Sequence, residues 1–357
     1  MNRTFPVLVI SFLFLQSCVK DRPSPDDFQF PNSSHTGIFI ANEGAFGNNN
    51  SEISFLDLQN QVLYNTLYHQ ANQQSAGDVL QSMSFSGNQL LCVFNGSGKV
   101  KALHRFTLQL ESESPALNSP RYLLEVQPAK AYVTSLYSSD LYILHLPDLH
   151  MQGKISLDRP ASESMLLHQG KVYVCQWDTS SSVLYRIDPS TDQITDRINV
   201  KAKAPHDIVV DAQGHLWVLS GNKYKNTASV LTCLNPANDS VLYQYHFSPD
   251  DDIIRLQRNV QGDSLFFIKA DFTGTSNTGG LYSMAVNDPL HVCSLLVKAP
   301  LASYFWNYFI HPETHHIYIS DPKGFTQNST LYEYDGAGKS LRQFEAGVGA
   351  GYFLYKP

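Results

Sequence analysis

An all-β fold, built as a closed ring of small sheets, is predicted by three observations on this 357-residue chain. A short apolar-aromatic pattern recurs seven times, further strand-like runs between turn residues accompany each copy, and the two chain ends carry the parts of one incomplete copy. Together these observations predict a seven-bladed β-propeller with four antiparallel strands per blade.

The composition supports a large folded core. Hydrophobic residues make up 43% of the chain and charged residues 16%, which excludes disorder for most of it. The 25 Lys and Arg against 32 Asp and Glu give a net charge of −7. Because phosphate backbones need clustered cations and no basic cluster occurs, nucleic acid is excluded as a partner class.

The first 35 residues are predicted to be a leader and a tether. Arg3 precedes an apolar run over 5–15 that is too short for a membrane helix, so residues 1–17 are predicted to be a signal peptide. Leu15-Gln16-Ser17-Cys18 resembles the lipobox of bacterial lipoproteins, which implies lipidation of Cys18. Residues 18–35 are polar and Pro-rich, typical of a tether. An ordinary signal peptide and periplasmic retention stay open as alternatives.

The repeat is visible as two adjacent columns in the second strand of each copy. The first is apolar in all seven copies, at spacings between 40 and 53 residues: Ile38, Leu91, Ala131, Val172, Leu216, Leu265 and Ile317. The second is aromatic in six copies: Phe39, Cys92, Tyr132, Tyr173, Trp217, Phe266 and Tyr318. Large flat side chains at this position are expected to fill the gaps between wedge-shaped blades.

Counting strands predicts how the ring closes. Six complete blades are expected over residues 78–115, 119–157, 161–200, 204–247, 252–298 and 304–346. Residues 37–69 supply only three strands, and 349–355 supply one, so the carboxyl end is predicted to complete the first blade. Closure removes the open sheet edges. The propeller is therefore predicted to span residues 36–357 as one domain.

The cysteines indicate neither a zinc site nor a disulfide framework. Once Cys18 is assigned to the lipid, Cys92, Cys175, Cys233 and Cys293 remain, with no CxxC spacing. Each lies in an apolar strand-like run, where cysteine behaves as a small hydrophobe. A Cys233–Cys293 bridge is left open.

The longest connections between second and third strands belong to blades 5, 6, 7 and 1, which are neighbours around the ring. Each combines one aromatic residue with amides and glycines: Phe46, Tyr224, Phe272 and Phe325. Long loops on a rigid scaffold commonly carry binding sites, and aromatics with amides supply apolar area and hydrogen bonds. The alternative is that these residues only form turns and cover blade edges.

Mixed polar and aromatic residues near the starts of the innermost strands add a second ring on the same face. They indicate a funnel for an uncharged, hydrogen-bonding ligand, although they could instead satisfy backbone groups of the channel. The candidate ligand-binding residues are Asn42, Glu43, Phe46, Gln81, Asn95, Arg121, Glu163, Trp177, His206, Tyr224, Phe272, Trp306, Phe325 and Tyr352.

The stretches Asn42–Gly47, Gly77–Met83, Ser119–Tyr122 and Lys130–Thr134 resemble the YncE-like β-propeller surface lipoproteins of Bacteroidetes, in particular their vitamin B12-binding, BtuG-like members. The likeness spans nearly all of residues 36–357. It implies a non-catalytic protein, anchored in the outer membrane and exposed at the cell surface. It also implies capture of a corrinoid (cobalamin) and delivery to a TonB-dependent, BtuB-like outer-membrane transporter, with Arg121 meeting the phosphate of the nucleotide tail. No metal or cofactor is expected.

Two other function classes stay open. A propeller enzyme of the lyase type would need a paired acid and base, for which Glu163 and His206 are the candidates. A protein-interaction scaffold would bind peptides on the same face, with Trp177 or Trp306 as the anchor.

Overall fold

The structure, a computed structural model, describes residues 30, 34–273, 278–288 and 290–357. The described chain forms 28 strands and one six-residue α-helix, α1 (Leu67–Asn72). The strands are β1 (Gly37–Asn42), β2 (Glu52–Asp57), β3 (Val62–Tyr64), β4 (Leu80–Ser86), β5 (Gln89–Phe94), β6 (Lys99–His104), β7 (Leu110–Glu113), β8 (Pro120–Gln127), β9 (Lys130–Ser135), β10 (Asp140–His145), β11 (Met151–Ser156), β12 (Ser162–His168), β13 (Lys171–Gln176), β14 (Val183–Asp188), β15 (Gln193–Asn199), β16 (Pro205–Val210), β17 (Leu216–Asn222), β18 (Thr227–Asn235), β19 (Ser240–His246), β20 (Asp252–Arg258), β21 (Ser264–Ala270), β22 (Gly280–Ala285), β23 (Ser294–Lys298), β24 (Asn307–Ile310), β25 (Ile317–Asp321), β26 (Asn328–Tyr334), β27 (Ser340–Val348) and β28 (Ala350–Lys356).

The prediction of a seven-bladed propeller is confirmed. The strands form seven four-stranded antiparallel sheets, and six of these are built from four consecutive strands. The seventh has the order β28-β1-β2-β3, with β28 running antiparallel to β1 from Gly37 opposite Lys356 to Asn42 opposite Ala350. The carboxyl-terminal strand therefore closes the first blade, as the strand count predicted.

The core lies between neighbouring blades. Six of the seven residues in the aromatic column are almost fully buried, with exposures between 0% for Phe39 and 3% for Tyr173. The exception is Phe266. In blade 6 the next residue, Phe267, is the buried ring, at 1% exposure, and Phe266 is only partly buried. Apolar surface on both faces of each sheet is removed from water in this way, which is the main stabilising contribution to the ring.

The helix α1 follows β3 and is held by the blade that precedes it. Glu52 on β2 accepts hydrogen bonds from the backbone N–H groups of Tyr68 and His69 at 3.2 Å each. A carboxylate at the first turn satisfies N–H groups that lack a partner within the helix. Leu67 and Ala71 of α1 are buried in the core between blades 1 and 2.

Two further sequence expectations concern the amino-terminal leader and the cysteines. The leader, Cys18 and nearly all of the tether lie outside the described residues. Within the described part of the chain, no helix is long and apolar enough to cross a membrane. The four cysteines of the propeller are free thiols, so Cys233 and Cys293 are not bridged in this structure.

Candidate functional site

Irregular starts of the innermost strands shape one end of the central channel. In six blades the register against the second strand shifts there, as in a β-bulge. A bulge inserts unpaired residues and turns their side chains to a new direction. The residues at the shifts are Gln81, Arg121, Tyr122, Glu163, Ser164, His206, Arg255, Leu256 and Gly351. Several of these side chains therefore line the channel.

A cavity of about 260 Å³ opens at this end, and we call it the mouth. It is smaller than a typical site for a drug-sized ligand, so a large ligand would insert only one part and rest on the rim. The mouth is lined by Glu43, Val79, Gln81, Arg121, Tyr122, Glu163, Trp177, His206, Asp207, Gly221, Asn222, Lys223, Tyr224, Asp252, Ile254, Arg255, Phe272 and Trp306.

A partition separates the mouth from a second cavity further along the channel. The second cavity measures about 430 Å³ and is lined in part by Tyr308 and Tyr352. Tyr122, Asp207 and Arg255 line both cavities, so these three side chains form the floor of the mouth.

Four aromatic side chains form a continuous wall along one side of the mouth. The ring centroids of Tyr224 and Phe272 are 6.2 Å apart, those of Phe272 and Trp306 6.3 Å, and those of Trp306 and Phe325 5.3 Å. We call Tyr224, Phe272, Trp306 and Phe325 the aromatic wall. Tyr224 is 81% exposed, so the outer end of the wall presents apolar surface to solvent. Such a surface suits a flat, largely apolar ligand face.

Trp306 connects the wall to the charged floor. Its indole N–H donates to Oε1 of Glu43 at 2.7 Å, and its carbonyl accepts from Nε of Arg255 at 3.1 Å. The Arg255 guanidinium also lies 4.7 Å from the Trp306 ring centroid, a cation–π distance. Among the described residues, none accepts a hydrogen bond from the two terminal nitrogens of Arg255, so these donors are available to a ligand.

Arg121 is engaged by its neighbours instead. Its Nε donates to Oε1 of Glu163 at 2.8 Å, and its Nη1 donates to Oε1 of Gln81. Burial disfavours the charged form of Arg121, but Glu163, together with Tyr122 and Glu43, outweighs this and raises the pKa of the guanidinium. Burial raises the pKa of Glu163, against the opposing effect of Arg121. The three side chains tie blades 2, 3 and 4 together.

His206 contributes a neutral ring to the mouth. Burial lowers the pKa of His206, and the charges of Arg255 and Arg121 act in the same direction. Its Nδ1 is buried without a hydrogen-bond partner among the described residues, and its ring lies 6.2 Å from that of Trp177. Trp177 donates from Nε1 to the carbonyl of Gly221 at 2.9 Å. An unpaired nitrogen at this position can accept from, or donate to, a bound ligand.

Acidic groups slightly outnumber cations in the mouth lining. Four carboxyl groups face three cations there: Glu43, Glu163, Asp207 and Asp252 against Arg121, Lys223 and Arg255. Burial is the main cause that raises the pKa of Glu43 and of Asp252. A lining of this kind favours neutral, hydrogen-bonding ligands over polyanions.

Most of the predicted site residues are brought together. Nine of the 14 candidates line the mouth: Glu43, Gln81, Arg121, Glu163, Trp177, His206, Tyr224, Phe272 and Trp306. Phe325 contacts Trp306 at the end of the aromatic wall. Phe46 is 83% exposed on its loop and does not line the cavity.

Three candidates lie elsewhere. The side chain of Asn42 is buried and donates to Oγ of Ser54 at 2.7 Å, and that of Asn95 donates to the carbonyl of Pro120 at 3.0 Å. The first bond links strands β1 and β2, and the second links the loop after β5 to the start of β8. Tyr352 lines the second cavity, below the floor of the mouth. The residues at the floor that sequence reasoning missed are Tyr122, Asp207 and Arg255.

Metal-type ligands group together at two places in the described residues, and neither is at the mouth. One group is His145, Asp148 and His150, and the other is Asp211, His215 and Cys233.

Solved structures with the same architecture have very different sequences. A quinoprotein alcohol dehydrogenase-like protein of Bacteroides thetaiotaomicron superposes with a TM-score of 0.67 at 12% identity, over 90% of this chain and 78% of the other. The periplasmic gluconolactonase of Pseudomonas aeruginosa gives 0.66 at 12% identity, over 90% and 99%. A 6-phosphogluconolactonase-like protein of Bacteroides fragilis gives 0.66 at 8% identity, over 91% and 99%. At such identities the likeness shows the fold alone.

Sequence families give a more specific relationship. No curated protein matches this chain significantly. A family model, described as a domain of unknown function (DUF5074), matches residues 36–248, more than half of the chain. Together with the Bacteroides propellers, this match fits the predicted resemblance to YncE-like propellers. The chain is therefore a member of the DUF5074 family.

Proposed function

We propose that this protein is a lipid-anchored surface protein that captures corrinoids at the mouth and passes them to a TonB-dependent outer-membrane transporter. The observation that carries the proposal is the aromatic wall, which lies beside unpaired hydrogen-bonding groups around a single opening. Such a site is suited to a large ligand with both apolar and amide-rich edges.

The chemistry of a corrinoid matches the two sides of the mouth. Its macrocycle has an apolar rim, which can lie against Phe272 and Trp306 of the aromatic wall. Its peripheral amides can accept from the terminal nitrogens of Arg255 and exchange hydrogen bonds with the amide of Asn222. Most of these groups are already held in place by neighbouring side chains before the ligand binds. Association therefore loses little conformational entropy at the site.

The nucleotide tail is better placed against Arg255 than against Arg121. Arg121 is engaged by Glu163 and Gln81, whereas Arg255 lines the mouth and the only hydrogen bond of its side chain within the described residues is from Nε. One phosphodiester could pair with this single guanidinium. The four carboxyl groups of the lining argue against ligands with several phosphates or carboxylates.

The anchoring part of the proposal rests on Leu15-Gln16-Ser17-Cys18. Lipidation of Cys18 would place the propeller at a membrane surface through the tether 18–35. Growth of a producing bacterium with labelled palmitate tests this directly. Label is expected in the wild-type protein and is expected to be absent from Cys18→Ala.

Titration of the propeller, residues 36–357, with cyanocobalamin tests the ligand. We expect saturable one-to-one binding at micromolar ligand, seen as a change in corrinoid absorbance and as heat in calorimetry. Haem and a mixed peptide library serve as controls. An absence of any response to cyanocobalamin would remove the corrinoid proposal, and binding of peptides alone would favour the scaffold class.

An enzyme acting on neutral sugar lactones is the second candidate. The observation that favours it is the neutral His206 ring with an unpaired Nδ1 in a mouth that also holds Glu163. A neutral imidazole is a suitable general base. Incubation with gluconolactone, followed by base consumption at constant pH, tests it. Hydrolysis above the uncatalysed rate that is lost in His206→Gln would support this candidate.

A further inference from the structure

The turn between the two outer strands of blade 3, β10 and β11, carries three metal-ligating side chains. Nδ1 of His145 and Nδ1 of His150 each lie 2.8 Å from Oδ1 of Asp148. The two imidazole rings are stacked, with centroids 4.6 Å apart. One nitrogen or oxygen donor from each residue lies within 4.8 Å of the other two. Three donors thus converge at one point of a single short turn.

The backbone that presents these donors is firmly held. Leu146 is 4% exposed and Leu149 is fully buried, and both pack in the core between blades 2 and 3. The Leu149 N–H donates to the carbonyl of His145 and the His145 N–H to that of His150, each at 2.9 Å. Buried leucines therefore alternate with outward-facing ligands, and the turn places the three donors before any ion arrives.

The three side chains are accessible from solvent. His145 is 30% exposed, Asp148 58% and His150 56%. This turn lies at the end of the sheet opposite the mouth, because β10 leads away from that end.

Conversion of this cluster into a metal site needs only a small movement. Zinc binds imidazole and carboxylate donors at about 2.0–2.2 Å, which separates two donors of a tetrahedral site by roughly 3.3 Å. The two His–Asp separations of 2.8 Å would therefore each widen by about half an ångström. The two histidine donors, which lie within 4.8 Å of each other, would have to reach the same spacing, and exposed side chains can make both movements.

The second group of ligands, at Asp211, is not equivalent. The Asp211 carboxylate is buried and accepts from Nε1 of Trp217 at 2.9 Å. It also accepts from the backbone N–H groups of Gln213 and His215. Burial is the main cause that raises the pKa of the Cys233 thiol to about 12, which disfavours the thiolate that would bind a metal. The hydrogen bonds that stabilise this turn therefore already explain why these residues lie close together.

We propose that His145, Asp148 and His150 form a surface site for one divalent transition-metal ion, of the Zn²⁺ or Cu²⁺ class. Two imidazoles and one carboxylate suit these ions, whereas Mg²⁺ and Ca²⁺ require oxygen ligands. Three protein ligands leave at least one coordination position open, for water or for a side chain of another protein. The site is independent of the mouth and of the corrinoid proposal.

Isothermal titration calorimetry of the tag-free, chelator-treated protein with ZnCl₂ tests the site. We expect one-to-one binding in the wild-type protein and at least a tenfold loss of affinity in His150→Ala and in Asp148→Asn. His246→Ala is the matched control, because His246 is an exposed histidine on β19 of another blade. MgCl₂ is expected to give no binding heat. Copper added to the wild-type protein should show two nitrogen couplings by electron paramagnetic resonance.

Two results would overturn the proposal. One is the absence of zinc binding at micromolar concentration. The other is zinc binding that His150→Ala retains at wild-type affinity, which would place the ion elsewhere. Thermal unfolding of every variant checks the fold, and all midpoints without metal are expected to agree because the altered side chains are exposed.

Discussion

Nε of Arg121 donates to Oε1 of Glu163 at 2.8 Å, and this ion pair joins blades 3 and 4 beside the floor of the mouth. The Arg121 side chain is 17% exposed and that of Glu163 4%. A buried charge that loses its partner is costly, although the pair itself contributes little net stability. Arg121 is therefore a structural element of the mouth more than a ligand contact.

Removal of either partner of this pair is expected to destabilise the propeller. Arg121→Met and Glu163→Met should each lower the free energy of unfolding by about 3 kcal/mol, since each leaves an uncompensated buried charge. The double variant should recover most of that loss. Urea denaturation measures all three, and simple additivity of the two single effects would contradict the expectation.

Substitutions of Arg255 separate the effect of its backbone conformation on stability from the effect of its guanidinium on ligand binding. Its φ is +61°, inside strand β20, where a Cβ atom is unfavourable and glycine is not. Arg255→Gly should therefore be more stable than Arg255→Ala by about 1 kcal/mol. Both variants lose the same guanidinium, so both should bind cyanocobalamin about tenfold more weakly than wild type. Equal stability of the two variants would argue against the strained backbone.

Glu52 is expected to make stability depend on pH. Burial raises the pKa of Glu52 from 4.5 to about 7, against the hydrogen bonds that it accepts. The unfolded chain releases this proton near pH 4.5 and the folded chain only near pH 7, so this contribution to stability is lost as the pH rises between those values.

Substitution of Glu52 by a residue that does not titrate should remove this loss of stability as the pH rises. Glu52→Gln keeps an acceptor for α1 and is expected to gain roughly 1–3 kcal/mol relative to wild type between pH 4.5 and pH 8. Urea denaturation at both pH values measures the change. Glu125→Gln, at an exposed glutamate, is the control and should show no such gain. An identical pH dependence of wild type and Glu52→Gln would contradict the assignment.

Strand β28 is expected to be required for a monomeric fold. Deletion of residues 350–357 removes the partner of β1 and exposes the ladder from Gly37 to Asn42. An unpaired strand edge of this kind favours association between chains. Light scattering after size-exclusion chromatography should show oligomers or aggregates. Deletion of Pro357 alone is the control, and a monomeric, fully folded protein without β28 would contradict the role of closure.

The blades were predictable because their signal is local and repeated. The apolar column from Ile38 to Ile317 marks the same buried strand in every blade. Its seven copies identify the strand even where the adjacent aromatic column is irregular, as at Phe266. The closure by β28 followed from counting strands. These features depend on alternation of apolar and polar residues, which the sequence shows directly.

The details of the mouth were less predictable because they depend on bulges. A shift between Ile254 and Gln257 brings Arg255 to the floor, and one at Gly351 accompanies the placement of Tyr352 in the second cavity. A single extra residue reverses which side chains face the channel, and alternation cannot reveal it. The sequence likewise offered no sign that the side chains of Asn42 and Asn95 would form hydrogen bonds within the protein, to Ser54 and to the Pro120 carbonyl.

The central claim is that the aromatic wall forms part of a corrinoid site, and Trp306 tests it most directly. Calorimetric titration with cyanocobalamin should compare the wild-type propeller, Trp306→Ala and the control Tyr137→Ala, an exposed aromatic outside the mouth lining. We expect one-to-one binding by the wild type and by Tyr137→Ala, and affinity at least tenfold lower for Trp306→Ala. Absence of binding by the wild type, or equal affinity of all three proteins, would contradict the claim.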